Sequence, residues 1–227
     1  MNDMAEIFFK LAIVFFSIVI HEVAHGYMAL AQGDRTALYA GRLTLNPIRH
    51  MDFFGMVVLP VVSLLAWGVP VGHAKPVPYN PYNLRNQRYG AALVAAAGPL
   101  SNIALAALFG LGIRALGAAD AQLSLLSFTH ILAFIVAINV WLAVINLVPI
   151  PPVDGSKVVF PFLPVSIRQR LVSWGHAARP WFSQYWFLLL IAIFFFGRQA
   201  LFVIFSVVSP AANGLFQLFT GLPAGIF

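Results

Sequence analysis

The chain has 227 residues, of which 61% are hydrophobic and 9% charged, with a formal net charge of +6. Soluble domains carry roughly 45–50% apolar and about 25% charged residues, so a water-soluble fold of this size is excluded for want of interior volume. The 13 basic residues are scattered through connectors between apolar runs, where anionic headgroups are their natural neighbours, which argues against a nucleic-acid partner.

Apolar segments fall at about Ile7–Ala31, Phe53–Trp67, Tyr89–Leu116, Ser127–Val148 and Tyr185–Val208, with a weaker tail from Ala211 to Phe227. Runs of this length predict an all-α polytopic membrane protein, a helical bundle surrounded by the lipid bilayer. The alternating ten-residue segments of a membrane β-barrel do not occur. The opening residues MNDMAEIFFK lack a basic n-region, so residues 1–30 read as a retained helix and not a signal peptide. No internal repeat and no polar stretch long enough for a second unit is found. The expectation is one domain over 1–227, with a core at 7–159 and a C-terminal membrane region at 180–227.

Within the first segment stands HEVAH, His21–His25. Two histidines four residues apart project from one helix face and can share one Zn²⁺, while Glu22, about 100° round the helix, stands beside the metal and not on it. This is the H-E-x-x-H arrangement of zinc peptidases, in which the glutamate moves protons. Burying three such groups in a membrane helix costs several kcal/mol unless they are partnered, and a metal is a sufficient partner.

Next comes TALYAGRLTLNP, whose alternating Leu38, Ala40, Leu43 and Leu45 predict a short strand-like segment at the membrane edge. Such an edge over Thr36–Leu45 would let an unwound substrate pair with it. Phe53–Trp67 is short of the roughly 20 residues needed to span and carries Pro60 at its centre, so a re-entrant or half-embedded segment is expected there. His73, in GHAKPVP, is a candidate closed-state ligand or proton relay, or a plain loop histidine. His50, His130 and His176 carry no spacing signal. Lys10 can snorkel to the interface.

A tetrahedral catalytic zinc needs a third protein ligand, and with no cysteine in the chain a carboxylate is the natural candidate. Asp154 lies beyond the fourth apolar segment in NLVPIPPVDG. Its three prolines cannot continue a regular helix, Gly155 permits an unusual backbone, and such a piece can hold a carboxylate at membrane depth. The alternative is an ordinary helix-end aspartate in a proline-rich turn. Asn146, eight residues earlier in an apolar helix, either stabilises an oxyanion or positions substrate, or bonds a neighbouring helix. Asn102 reads as shaping helix packing or a water path, and Asn139 as structural. Arg198 leaves two readings: the last helix ends near Gly197, or the guanidinium faces protein or water.

Three patches, HEVAH (His21–His25), AGPLSN (Ala97–Asn102) and NLVPIPPVDG (Asn146–Gly155), resemble the site-2 protease family of intramembrane zinc metalloproteases, the M50 peptidases. GHAKPVPYNP (Gly72–Pro81) resembles a segment of the compact bacterial branch that lacks a PDZ-type domain. The resemblance covers Ile7 to about Val159. It implies His21, His25 and Asp154 as zinc ligands, Glu22 as general base and Asn146 as a polar group near the reacting carbonyl. It also implies a transmembrane protein substrate. Two rival classes remain: a membrane metal transporter using the same ligands, which leaves Glu22 unexplained, and a non-cleaving scaffold that binds membrane clients. The sequence does not address oligomeric state.

Basic residues set the orientation. Arg35, Arg42 and Arg49 follow the first helix, and Lys157, Arg168, Arg170 and Arg179 follow the fourth segment, whereas Ala118–Ser127 has no Lys or Arg. The positive-inside rule puts the first two groups in the cytoplasm, the bare loop outside, and the active site toward the cytoplasmic side of the cell (inner) membrane. Because the native chain has no cysteine, single cysteines report topology cleanly. An impermeant thiol reagent outside intact cells is expected to label Ala119→Cys and to spare Arg49→Cys, Asn83→Cys and Arg170→Cys. Labelling at position 83 would show that Phe53–Trp67 crosses.

Overall fold

The computed structural model describes residues 3–53, 74–116, 126–151 and 153–223, together with Gly55, Val58 and Val61; for 3–8, 126–127, 174–198 and 200–201 it describes the backbone alone. Six α-helices order the described chain: α1 (Asp3–Ala31), α2 (Thr36–Tyr39), α3 (Gly90–Ala115), α4 (Leu126–Leu147), α5 (Asp154–Val159) and α6 (Val165–Thr220). Four stretches are long and apolar enough to cross a membrane: Phe9–Ala31, Gly90–Ala115, Phe128–Leu147 and Phe202–Thr220. Helices are what hydrocarbon demands, since each backbone donor must be satisfied within its own segment.

The centre of the bundle is α3, which packs against α1, α4 and α6. Its buried positions are mostly small, among them Ala92, Ala95, Ala97, Gly98, Ala106 and Gly110, and small residues let helix backbones approach closely where no hydrophobic effect drives them together. Beyond them, Ile113 of α3, Val136 and Val140 of α4, and Phe216 of α6 close the core on the side away from the HEVAH turn.

The C-terminal end of α1 fixes how the first helix meets the third. Gly33, at φ 104°, takes the left-handed position of a Schellman motif: the Asp34 N–H bonds the Ala29 carbonyl and the Gly33 N–H bonds that of Leu30. The Asp34 side chain then gathers the neighbouring loops. It is fully buried and accepts from the Thr36 N–H at 3.2 Å and hydroxyl at 2.6 Å, from the Asn80 N–H at 2.8 Å and from the Asn83 amide at 2.9 Å. Nearby, the Arg85 N–H bonds the Gln32 carbonyl and the Gln32 amide bonds the Gly90 carbonyl. The end of α1 is thereby laced to the start of α3.

Two expectations change here, and a third falls outside the described residues. Thr36–Leu45 is not strand-like: Thr36–Tyr39 is a helical turn, and no strand occurs among the described residues. The Asp34 carboxylate captures both Thr36 donors and starts a turn, a local competition that an unpaired strand cannot win. The expected re-entrant segment Phe53–Trp67, apart from Phe53, Gly55, Val58 and Val61, lies outside the described residues, as does His73. At the other end, the basic stretch expected as a connector before Tyr185 is helical, and α6 does not stop near Gly197. The first left-handed stop signal along it is Gly221, at φ 75°, whose N–H bonds the Gln217 carbonyl. Arg114 of α3 covers two more terminal carbonyls, those of Leu218 and Phe219.

Burial alone would raise the Asp34 pKa, but the hydrogen bonds from Thr36, Asn83 and Asn80 outweigh it and hold the carboxyl below its usual range. A depressed carboxyl pKa stabilises the fold above the unfolded value of about 3.9 and ceases to do so as pH falls through the folded value. Asp34→Asn turns one acceptor into a donor facing donors, at a cost of about 1–3 kcal/mol. In detergent its melting temperature should lie below that of the wild type at pH 7, with the gap closing only below about pH 4. Equal melting temperatures at pH 7 would show that Asp34 does not secure these loops.

Candidate metal centre

His21 and His25 lie one turn apart on α1, their rings 4.6 Å between centroids and nearly perpendicular at 89°. Each points its Nε2 at the same oxygen of Asp154, the first residue of α5: His21 Nε2 is 3.2 Å and His25 Nε2 3.1 Å from Asp154 Oδ2. These three are the His/Asp group, among the described residues, with ligand atoms close enough to hold one ion.

The far side of each ring is occupied. His25 Nδ1 lies 2.7 Å from the Val94 carbonyl, and His21 Nδ1 lies 2.6 Å from Asn102 Oδ1. A carbonyl oxygen only accepts, so each Nδ1 carries the proton and each Nε2 presents a lone pair. Two lone pairs and a carboxylate oxygen therefore face one point, an arrangement that repels itself unless a cation joins it. Tetrahedral zinc with bonds of about 2.0–2.1 Å places its ligand atoms about 3.3 Å apart, and the two measured separations come close to that value. The donor set fits zinc.

Two glycines make the convergence possible. A Cβ on Gly98 of α3 would stand 2.5 Å from His25 Nε2 and 2.6 Å from His21 Nε2, so only a bare backbone leaves room for the imidazole edges. A Cβ on Gly155 would run into the carbonyls of Leu147 and Val148. Gly155 is thus needed for close approach, and not for the unusual backbone expected of it: it sits inside α5 and is not among the glycines with positive φ. The tight return from Leu147 to Asp154 brings the carboxylate to the histidines.

Asp154 uses its other oxygen, Oδ1, to accept from Lys157 Nζ at 3.0 Å. Glu22 stands aside from the three: its Oε2 accepts the Val77 N–H at 2.9 Å. That donor belongs to an extended stretch, residues 74–80, which borders the centre. Arg42, itself buried, holds the stretch by donating to the Lys75 carbonyl at 2.6 Å, and the Lys75 N–H bonds the His50 carbonyl at 3.1 Å.

All five candidate residues from the sequence line one cleft of about 470 Å³, bordered also by Val77, Tyr79 and Lys157. Asn146 is among them, with its amide donating to the Leu142 carbonyl of its own helix at 2.9 Å. Asn102 does more than shape packing, because it holds the His21 ring. His50 is fully buried and bonds the Thr44 carbonyl instead of entering the cleft. Lys157 went unread in the sequence, although its i+3 spacing from Asp154 was a usable signal; the Val94 carbonyl leaves no sequence signal at all.

Comparison with known proteins points to the same class of enzyme. The profile of peptidase family M50 matches residues 111–193. A Bacillus subtilis (strain 168) protein named "Putative zinc metalloprotease YwhC" is 29% identical over 210 residues, covering 91% of this chain and 88% of its own. Over 111–193 the chain is similar to peptidase family M50, and over most of its length to this relative. Two mycobacterial relatives, both called Rip2 and bearing the same description, lie further off. The Mycolicibacterium smegmatis protein is 28% identical over 75% of this chain and 69% of its own. The Mycobacterium tuberculosis H37Rv protein is 30% identical over 65% of this chain and 54% of its own. No solved structure matches. These likenesses, with the four membrane-capable helices and the His-His-Asp group, support a membrane zinc metalloprotease.

A paired substitution tests the space requirement. Gly98→Ala is expected to push the imidazoles apart and lower bound zinc well below one per chain. Gly112→Ala, in the same helix with nothing within 4 Å of its Cβ position, should leave zinc unchanged and be neutral or slightly stabilising. Metal analysis of both purified variants decides it, and full zinc occupancy in Gly98→Ala would overturn the steric account.

Proposed function

We propose that this protein is an intramembrane zinc endopeptidase that cuts a membrane-spanning segment of a protein substrate near its cytoplasmic end, in the cell (inner) membrane. The observation that carries the reading is the convergence of His21 Nε2, His25 Nε2 and Asp154 Oδ2 with the Glu22 carboxylate in the same cleft. His21, His25 and Asp154 would hold the zinc, which supplies Lewis-acid polarisation of a carbonyl and lowers the pKa of water.

The remaining chemistry belongs to the chain. The Val77 N–H fixes one oxygen of Glu22, so the other accepts the proton of the attacking water and later delivers it to the leaving amine nitrogen. Asn146 donates one amide proton to its own helix and has a second available for the oxyanion. A substrate helix buries its carbonyls in its own hydrogen bonds, so it must unwind before attack. Transport is disfavoured by Glu22, which no transit site needs in that position, and a non-cleaving scaffold by the presence of every group the reaction requires.

Depth and side follow from the elements that carry the ligands. His25 stands six residues before the end of α1, about 9 Å along the axis at 1.5 Å per residue, and that end leads into Arg35, Arg42 and Arg49. Asp154 follows the end of α4 and precedes Lys157, Arg168 and Arg170. Both ligand-bearing ends thus face basic segments, the side the positive-inside rule assigns to the cytoplasm. The Lys75 N–H bonds the His50 carbonyl at 3.1 Å, so positions 50 and 75 lie side by side.

Glu22→Gln keeps size and hydrogen bonding but removes the proton acceptor. Cleavage should fall at least about a hundredfold while zinc stays near one per chain. Membrane-protein fragments are compared by mass spectrometry between membranes bearing wild type and variant. Fragments persisting at wild-type abundance with Glu22→Gln would remove Glu22 as the base.

A further inference from the structure

Behind the His21 ring, away from the cleft, runs a chain of polar side chains that the reaction does not touch. Asn102 of α3 and Asn139 of α4 are fully buried and Ser17 of α1 is 4% exposed, all at the depth of membrane-spanning helices. Asn102 Nδ2 donates to Asn139 Oδ1 at 2.8 Å. Asn139 Nδ2 donates to Ser17 Oγ at 3.0 Å and to the Ile135 carbonyl at 2.8 Å. A misdirected polar group this deeply buried is costly, so the sense of each bond has to agree with the next.

The sense can be traced from one end. The Ile135 carbonyl, one turn back in the same helix, only accepts, so the group of Asn139 facing it must be its NH₂. That leaves Asn139 Oδ1 facing Asn102, which must answer with its own NH₂. Asn102 Oδ1 is then the atom left for His21, and an oxygen there requires the proton on Nδ1 and the lone pair on Nε2. An amide turned the other way would offer a donor to Nδ1 and favour the tautomer whose Nε2 is protonated and cannot bind metal.

We infer that Asn139 is a positioning residue for the metal centre, setting the sense of the Asn102 amide and through it the metal-binding tautomer of His21. The inference rests on His21 being a zinc ligand. It separates the two asparagines by role: Asn102 touches the ligand, and Asn139 at 2.8 Å, seconded by the Ser17 carbonyl at 3.4 Å, decides which of its atoms does so. It also ranks the partners of Asn139. The Ile135 carbonyl gives direction, whereas the Ser17 hydroxyl, able to donate or accept, gives none.

The test uses the full-length chain in detergent, with zinc affinity measured by competition against a chelator. Asn139→Leu should weaken zinc binding at least about tenfold, and Ser17→Ala by less than about threefold. Asn139→Leu binding within twofold of wild type would overturn the inference, as would Ser17→Ala weakening zinc as much as Asn139→Leu does. A second measurement needs no variant to fold. In ¹⁵N-histidine-labelled, zinc-loaded wild type, the His21 Nδ1–H should give a downfield proton signal protected from solvent exchange; a freely exchanging Nδ1–H would overturn the inference equally. His21→Ala separates this from failure of the underlying reading: unchanged zinc affinity there removes His21 as a ligand, whereas lost affinity there with Asn139→Leu unaffected defeats the Asn139 inference alone.

Discussion

Three lone pairs aimed at one point inside a membrane bundle demand a cation between them. Both neutral imidazoles have their single proton committed on the far side, to Asn102 Oδ1 and the Val94 carbonyl, so both Nε2 lone pairs stay turned toward Asp154. Much of the surrounding fold answers this one constraint. α3 supplies the two acceptors and the bare backbone at Gly98, the sharp return at Gly155 delivers the carboxylate, and Lys157 occupies its second oxygen. Metal binding therefore contributes to the stability of the bundle as well as to chemistry.

The proposed ligands and the proposed base are held by different parts of the molecule. His21, His25 and Asp154 are set by helix packing among α1, α3 and the return into α5. Glu22 is set by a loop: the Val77 N–H reaches it from the 74–80 stretch, which is clamped at Lys75 by Arg42 and at Asn80 by Asp34. Disturbing the loop should thus alter proton transfer before it alters metal content, and disturbing the helices should do the reverse. The division also explains the buried charge of Arg42, whose guanidinium serves the backbone carbonyls of Lys75 and Pro76.

What could be read from the sequence was whatever has a period or a spacing. The four long apolar runs appear as helices within a residue or two of expectation at α3 and α4, and His21, Glu22 and His25 project as an i, i+1, i+4 set must. Asp154 and Asn146 were legible because they are polar groups at the rim of an apolar run. The strand expected at Thr36–Leu45 failed because alternation of leucines is a weak signal beside an aspartate that captures two local donors. Gly155 was noticed for the wrong reason: a sequence shows a glycine but not whether φ or close approach requires it. Asn139 looked like one more helix-packing amide, because its meaning lies in bond directions that only the assembled helices define.

The hydrogen bond between the Lys75 N–H and the His50 carbonyl joins two points of the chain separated by residues 51 to 74. Both sides of that junction are anchored independently, by the His50 ring on the Thr44 carbonyl and by Arg42 on the Lys75 carbonyl. The 74–80 stretch beside Glu22 therefore takes its place from bonds that the two sides of this interval make directly with each other, Arg42 to Lys75 and Lys75 to His50.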